Sequence, residues 1–153
     1  MQLKTISIAF YALFTFSPSL VFSQDSGLNM NNGDFNGTII YLTAVEREAV
    51  LTEMRGFVES TAGIVKGLSA EDMEMVTASA RKSGRGAGAH MPRTLHKKLP
   101  DSFKKLGSDT HRRFDELALD AEQLGDAGHS LSQLGALLDN CVSCHSSFRI
   151  KVK

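Results

Sequence analysis

Two cysteines and a histidine near the end of the chain have a spacing that points to chemistry. The segment Cys141-Val-Ser-Cys144-His145 places two thiols three residues apart. On a helix this spacing puts both thiols on one side, so both can reach the two vinyl groups at one edge of a porphyrin. His145 comes directly after them and can place its imidazole under the iron. The C-x-x-C-H pattern therefore predicts one covalently attached haem c, with His145 as the metal ligand.

Other uses of two cysteines at this spacing fit the sequence less well. A thioredoxin-like redox pair stands at the start of a helix in a strand-rich domain, whereas this motif lies deep inside the last predicted helix. A zinc site needs further ligands, and the sequence has no second cysteine pair. A disulfide between residues three apart would constrain little of the unfolded chain. The redox pair and the zinc site remain as alternatives to haem.

The first 23 residues have the pattern of an export signal. Lys4 supplies a basic start, an apolar run covers residues 6–16, and Ser23 is a suitable residue before a cleavage point. A transmembrane helix is the alternative, but the apolar run is short and Pro18 breaks the chain just beyond it. We expect a signal peptide over residues 1–23, cleaved near Ser23, and a periplasmic location.

The rest of the chain divides into a leader and one domain of helices. Residues 24–40 are rich in Asn, Gly and Asp and predict a flexible leader. Within residues 41–153, apolar side chains recur at steps of three and four in four segments, near 43–68, 70–83, 101–124 and 129–153. The stripe of the first segment comprises Arg47, Leu51, Met54, Val58, Thr61, Val65 and Leu68. The stripe of the last segment comprises Leu131, Leu134, Leu138, Cys141, His145 and Phe148. These segments predict an all-α fold, an antiparallel four-helix bundle with one covalently bound haem.

The position of the motif resembles cytochrome c′ and its methionine-ligated class II relatives. In that family a four-helix bundle carries C-x-x-C-H near its C-terminus, followed by an aromatic residue and an arginine. This sequence reads CVSCHSSFR, with Phe148 at the aromatic position and Arg149 at the basic one. The segment REAVLTEM, from Arg47 to Met54, is similar to the family's opening stretch. The resemblance is specific in the first and last helices and rests on periodicity in the middle two.

The resemblance implies roles for several residues. Leu51 occupies the position above the haem iron, where an apolar residue implies five-coordinate iron and a methionine implies a sixth ligand. Met54 lies one turn further along the same stripe and is either a space-filling core residue or that ligand. Arg47 and Arg149 are candidates for contacts with the haem propionates or the haem edge. Residues one turn either side of the motif are expected to pack against the porphyrin, namely Leu138 and Phe148.

These expectations favour one-electron transfer by a c-type cytochrome, and not an enzyme, with redox proteins of the periplasm as partners. The alternative is a five-coordinate haem protein that binds NO or CO. The 17 basic and 17 acidic side chains balance, so nothing indicates a nucleic-acid partner, and a homodimer remains open. His90, Met91 and His96 are expected to be solvated loop residues, and the alternative is that they approach the haem edge. One basic succession is either a solvated face or a docking surface for an acidic redox partner: Lys97, Lys98, Lys104, Lys105, Arg112 and Arg113.

Overall fold

The computed structural model describes residues 36–87 and 91–153, and these residues are mostly helical. The elements in chain order are β1 (Thr38–Leu42), α1 (Ala44–Ser69), α2 (Met73–Arg81), α3 (Arg93–His96), α4 (Asp101–Leu124), α5 (Ala127–Ser147) and β2 (Phe148–Val152). The expected signal peptide and most of the expected leader lie outside the described residues. Within the described ranges, no helix is long and apolar enough to cross a membrane.

Capping side chains explain where the helices begin and end. Thr43 forms a capping box with Glu46 at the start of α1, which satisfies two backbone N–H groups that lack helical partners. The carboxylates of Asp72 and Asp126 each accept a hydrogen bond from a backbone N–H in the first turn of α2 and α5. Gly125 ends α4 with φ at 63°, a conformation that side-chain-bearing residues rarely adopt. The predicted positions of α1, α2 and α4 and the predicted start of α5 are confirmed within a few residues.

A short parallel strand pair joins the two ends of the domain, where the sequence pattern predicted only helix and leader. β1 pairs with β2 in a register that runs from Thr38 opposite Phe148 to Leu42 opposite Val152. The prediction of an entirely helical fold, with the last helix reaching the C-terminus, is therefore wrong at this point. The predicted leader boundary at residue 40 is also too late, because the strand begins at Thr38 and Ile40 is buried.

The helices pack in chain order around two groups of buried side chains. α1 contacts α2, α2 contacts α4, and α4 contacts α5. The bundle core, which these helices enclose, comprises Ile64, Val76, Ala80, Phe114, Leu117, Ala118, Ala121, Leu134 and Leu137. The terminal core, which lies against the strand pair, comprises Ile40, Leu42, Val50, Leu95, Leu99 and Phe148. Cys141 packs against the bundle core and Cys144 against the terminal core, so the motif spans the boundary between them.

The buried stripe of α1 is shifted by one residue from the predicted one, and the stripe of α5 is shifted at Leu138, whereas Leu134 is buried as predicted. Val58 is 69% exposed, whereas its neighbour Phe57 packs against the bundle core. Likewise Leu138 is 38% exposed and its neighbour Leu137 is fully buried. Both neighbours are apolar, so either stripe satisfies the helical period, and only the packing partners choose between them. The prediction that Leu138 lies on the buried face of the last helix is therefore wrong, and Leu137 lies there.

Candidate cofactor pocket

A pocket of about 480 Å³ lies between α1, the start of α4, the end of α5 and β2. This volume is in the range of roughly 300–1,000 Å³ that small-molecule and cofactor sites occupy. We call it the cysteine pocket. Its lining residues are Arg47, Val50, Leu51, Met54, Phe103, Cys144, His145, Phe148, Arg149 and Ile150.

Most of the residues selected from the sequence line this one pocket, although they come from opposite ends of the domain. The cysteine pocket contains Arg47, Leu51 and Met54 of α1 together with Cys144 and His145 of α5. Its wall is completed by two residues of β2 that were also candidates from the sequence, Phe148 and Arg149.

Two selected residues, Cys141 and Leu138, are not among the lining residues of the cysteine pocket. Three lining residues were missed, namely Val50, Phe103 and Ile150. A signal for one of them was present, because the apolar residues Phe148 and Ile150 alternate with charged ones, as in a half-buried strand.

Both thiols of the motif are half-buried, and neither is part of a disulfide. Burial raises the pKa of Cys141, and it raises the pKa of Cys144 with a further contribution from the neighbouring Cys141. Redox-active cysteines of the thioredoxin kind have lowered pKa values, because a helix N-terminus or a cation stabilises the thiolate. These thiols lie in the last two turns of α5, away from its N-terminus, and have the opposite shift. The environment of the pair therefore disfavours the redox-pair alternative.

The end of α5 orients the residues that come after the motif. The Arg149 guanidinium donates to the carbonyl oxygen of Phe148 at 2.9 Å and to that of His145. It thereby satisfies a carbonyl group in the last turn, where a cation also interacts favourably with the helix dipole. The ring of Phe148 packs edge-on against Phe103 of α4, with centroids 5.3 Å apart. The wall of the pocket beyond His145 is thus held by contacts to both neighbouring helices.

Leu51 and Met54 both line the cysteine pocket, and both are half-buried. The same cavity therefore contains Leu51, the apolar residue expected above the iron, and Met54, the alternative candidate for a sixth ligand. Met54 also packs against the terminal core, which accords with a space-filling role for its thioether.

The lining chemistry suits a large apolar molecule that carries acidic groups. Among the described residues that line the cysteine pocket, the only permanently charged ones are Arg47 and Arg149, and none is a carboxylate. Mg²⁺ and Ca²⁺ prefer sites rich in carboxylate and carbonyl oxygens, which this lining does not offer. In residues 36–87 and 91–153, no three His, Cys, Asp or Glu side chains are grouped as a metal site would need. Apolar walls, two arginines, a thiol and an imidazole fit a covalently attached haem with two propionates.

His111 and Glu53 form a largely buried acid–base pair, which was not anticipated, in the wall of a second pocket that also contains Phe103. His111 of α4, which is 8% exposed, faces Glu53 of α1 through Nε2 and Oε1 at 3.1 Å. Its Nδ1 lies 2.8 Å from the carbonyl oxygen of Ser83. A carbonyl and a carboxylate are both acceptors, so an imidazolium satisfies both contacts and a neutral ring satisfies only one. No sequence signal marks this pair, because Glu53 and His111 are far apart along the chain.

The His111–Glu53 pair predicts a stability contribution that decreases as the pH rises. The hydrogen bond to Glu53 raises the pKa of His111 above its ordinary value of 6.5. A raised pKa in the folded state stabilises the protein below the unfolded-state pKa, and the contribution is lost as the pH passes the folded-state value. We expect His111→Gln to lower the free energy of unfolding by about 1–3 kcal/mol near pH 6, and by less near pH 9. Urea unfolding at both pH values measures this difference.

The matched control for that experiment is His129→Gln, which removes an exposed imidazole of α5 that also faces a carboxylate, Asp120 at 3.3 Å, but in contact with solvent. It should show little loss of stability at either pH. Equal losses for His111→Gln at the two pH values would contradict the assignment of an imidazolium at this position.

Comparison of the chain with protein-family models, with curated proteins and with solved structures gives no match.

Proposed function

We propose that this protein is an exported, periplasmic monohaem c-type cytochrome of the class II kind that transfers single electrons, and that it is not an enzyme. In this proposal α1, α2, α4 and α5 form an antiparallel four-helix bundle. Cys141 and Cys144 attach one haem c, and His145 is the iron ligand. Redox proteins of the periplasm are its partners.

The observation that carries the proposal is the convergence of the α1 and α5 motifs on one pocket. Arg47, Leu51 and Met54 were selected from one end of the domain, and Cys144 and His145 from the other. A chance C-x-x-C-H sequence would not require an apolar cavity beside it with two arginines and no carboxylate in its lining.

Each part of the pocket has a physical task in this proposal. A covalently held haem supplies a redox couple at the iron, and the protein supplies the surroundings that adjust it. The walls formed by Val50, Phe103, Phe148 and Ile150 exclude water, which lowers the local dielectric constant. Arg47 and Arg149 offer positive charge for two carboxylates. The packing of Phe148 against Phe103 limits movement of the wall beyond His145.

An absorption spectrum of the native protein tests the proposal most directly. The protein should be purified from its own host, and its ferric and ferrous spectra recorded with and without CO. A c-type haem spectrum with reversible reduction is the expected result. A protein that carries zinc or a disulfide, and no haem, would overturn the proposal.

A second candidate function is supported by Leu51, whose aliphatic side chain lines the pocket and has no lone pair to give to iron. In that case the iron is five-coordinate and the protein binds NO or CO. We expect Leu51→Ala to strengthen CO binding by removing bulk above the iron, and Met54→Leu to leave the spectrum almost unchanged. CO titration and the ferrous spectrum of each variant measure these effects.

Met54→Leu separates the two functions, because the leucine keeps the volume and removes the sulfur. Conversion of a low-spin spectrum to a high-spin one by Met54→Leu would identify Met54 as the sixth ligand. The gas-binding function would then be excluded, and electron transfer would stand alone.

A further inference from the structure

A second pocket, of about 570 Å³, lies between α1, α3 and α4. We call it the basic pocket. It shares Phe103 with the cysteine pocket, and the His111–Glu53 pair lies in its wall. Its lining residues are Glu53, Arg85, Met91, Arg93, His96, Lys97, Phe103, Lys104, Gly107, Ser108 and His111.

The basic pocket is strongly positive, although the whole chain has equal numbers of basic and acidic side chains. Four permanently cationic side chains line it, whereas Glu53 is the single carboxylate among the described lining residues. That carboxylate is itself paired with His111 at 3.1 Å. A cleft lined by one sign of charge focuses its field on the enclosed space and attracts the opposite charge.

Among the described residues, two of the four cations have acidic partners and two do not. Lys104 pairs with Asp101 at 2.6 Å, and Arg85 lies 3.7 Å from Asp115. Within residues 36–87 and 91–153, neither Arg93 nor Lys97 forms an ion pair. Cations gathered around a concavity repel one another, and a bound anion would relieve this repulsion.

The remaining lining offers hydrogen-bond donors and apolar contacts. Ser108 carries a hydroxyl and His96 an imidazole, and both can donate to an oxyanion. Met91 and Phe103 are apolar residues of the same pocket. Met91 is half-buried and packs against the terminal core, so the prediction that it is a solvated loop residue is wrong, whereas His96 is exposed as expected and lies at the end of α3. His90 lies outside the described residues.

A hydrolytic use of Ser108, His111 and Glu53 does not fit the geometry. Both ring nitrogens of His111 are already engaged, one by Ser83 and the other by Glu53. A histidine that activates a serine needs one nitrogen free to accept the hydroxyl proton. The pocket is therefore better suited to holding an anion than to reacting with it.

We propose that the basic pocket binds an oxyanion, either a carboxylate or a phosphate, with Arg93 and Lys97 as its principal partners. Arg93 offers a planar fork of donors that matches two oxygens at once, and Lys97 offers a point charge. The anion can come from solution, or it can be a propionate of the haem proposed at Cys144, since the two pockets meet at Phe103. The first source does not depend on the proposed function.

Isothermal titration of the native protein with inorganic phosphate tests the first source. The expected result is saturable binding that Arg93→Gln with Lys97→Gln weakens by about tenfold or more, since hydrogen bonds to charged groups are lost. The matched control is Lys66→Gln with Lys105→Gln, which removes the same charge outside the basic pocket and should leave the affinity unchanged. Circular dichroism of each variant checks that it is folded.

The haem absorption spectrum tests the second source. If phosphate does not bind because a haem propionate occupies the pocket, we expect the pH dependence of the haem spectrum to change. The double variant Arg93→Gln, Lys97→Gln should then differ from the native protein in the acidic range. The control pair should not change it. Absence of both effects in folded protein would overturn the oxyanion site. Absence of haem, with phosphate binding intact, would instead overturn the proposed function and leave this site standing.

Discussion

Replacing Cys141 and Cys144 together with alanine is expected to remove all covalently attached haem. Two thioether bonds survive denaturation, so the native protein should keep its haem stain on a denaturing gel and show the added mass of one haem. The double variant should show neither. This effect is all-or-none, because the thiols are the only groups in the chain at the attachment spacing.

His145→Gln is the informative companion to the cysteine variants. It leaves both thiols in place and removes the proposed iron ligand, so some covalent haem can remain while the normal spectrum is lost. If the cysteine double variant keeps its haem stain on a denaturing gel, the proposed attachment through these thiols is contradicted. An unchanged spectrum from His145→Gln would contradict the ligand assignment.

Leu137→Ala is expected to lower the free energy of unfolding by about 2–5 kcal/mol. Leu137 is fully buried in the bundle core, and its truncation leaves a cavity that the surrounding side chains fill only in part. Leu138→Ala removes the same atoms from the adjacent position, where the side chain is 38% exposed, and should cost about 1 kcal/mol or less. Urea unfolding of both variants measures the difference.

Comparison of these two variants also tests which leucine is buried: Leu137, as in the structure, or Leu138, as the sequence pattern predicts. If Leu138→Ala costs as much as Leu137→Ala, then Leu138 is covered in the purified protein. That result would support the expectation that Leu138 packs against the porphyrin, which stays a prediction.

The helix boundaries could be predicted because local residues set them. Thr43, Asp72 and Gly125 act within one turn of their own positions, through hydrogen bonds and through a backbone conformation that is easy for glycine. The phase of the stripes could not be predicted. Phe57 and Val58 are both apolar, and only contacts with other helices place Phe57 on the inside.

The strand pair was missed for a different reason, although the alternation of Phe148 and Ile150 with charged residues was a short signal for β2. Each strand has five residues, and its hydrogen-bonding partner lies at the other end of the domain. A parallel pair has no turn between its strands to mark it in the sequence. The resemblance to a helical family also provided no reason to expect it. Most residues named by the family motifs line the cysteine pocket, but Cys141 does not, and Ile150, which only the strand brings there, was missed.

The basic residues noted in the sequence illustrate the same limit. As a succession they suggested one charged face, but Lys98 pairs with Glu46, and Arg112 and Arg113 pair with Asp109. These ion pairs neutralise much of the positive charge that a docking surface for an acidic partner would need. The cations of the basic pocket come from three separate segments of the chain, so the sequence alone could not predict that they line one pocket.

The pairing of β1 with β2 has a consequence for how the domain folds and opens. Contacts between distant parts of a chain carry a large closure entropy and form late, whereas helix packing between neighbours forms early. A sheet of only two strands also has little stability of its own. Because β2 carries Phe148, Arg149 and Ile150, local unpairing of the strands would open the wall of the cysteine pocket beside Cys144 while the bundle core stays folded. In that folding order Cys144, which we propose as a haem-attachment residue, would stay accessible until β2 pairs with β1.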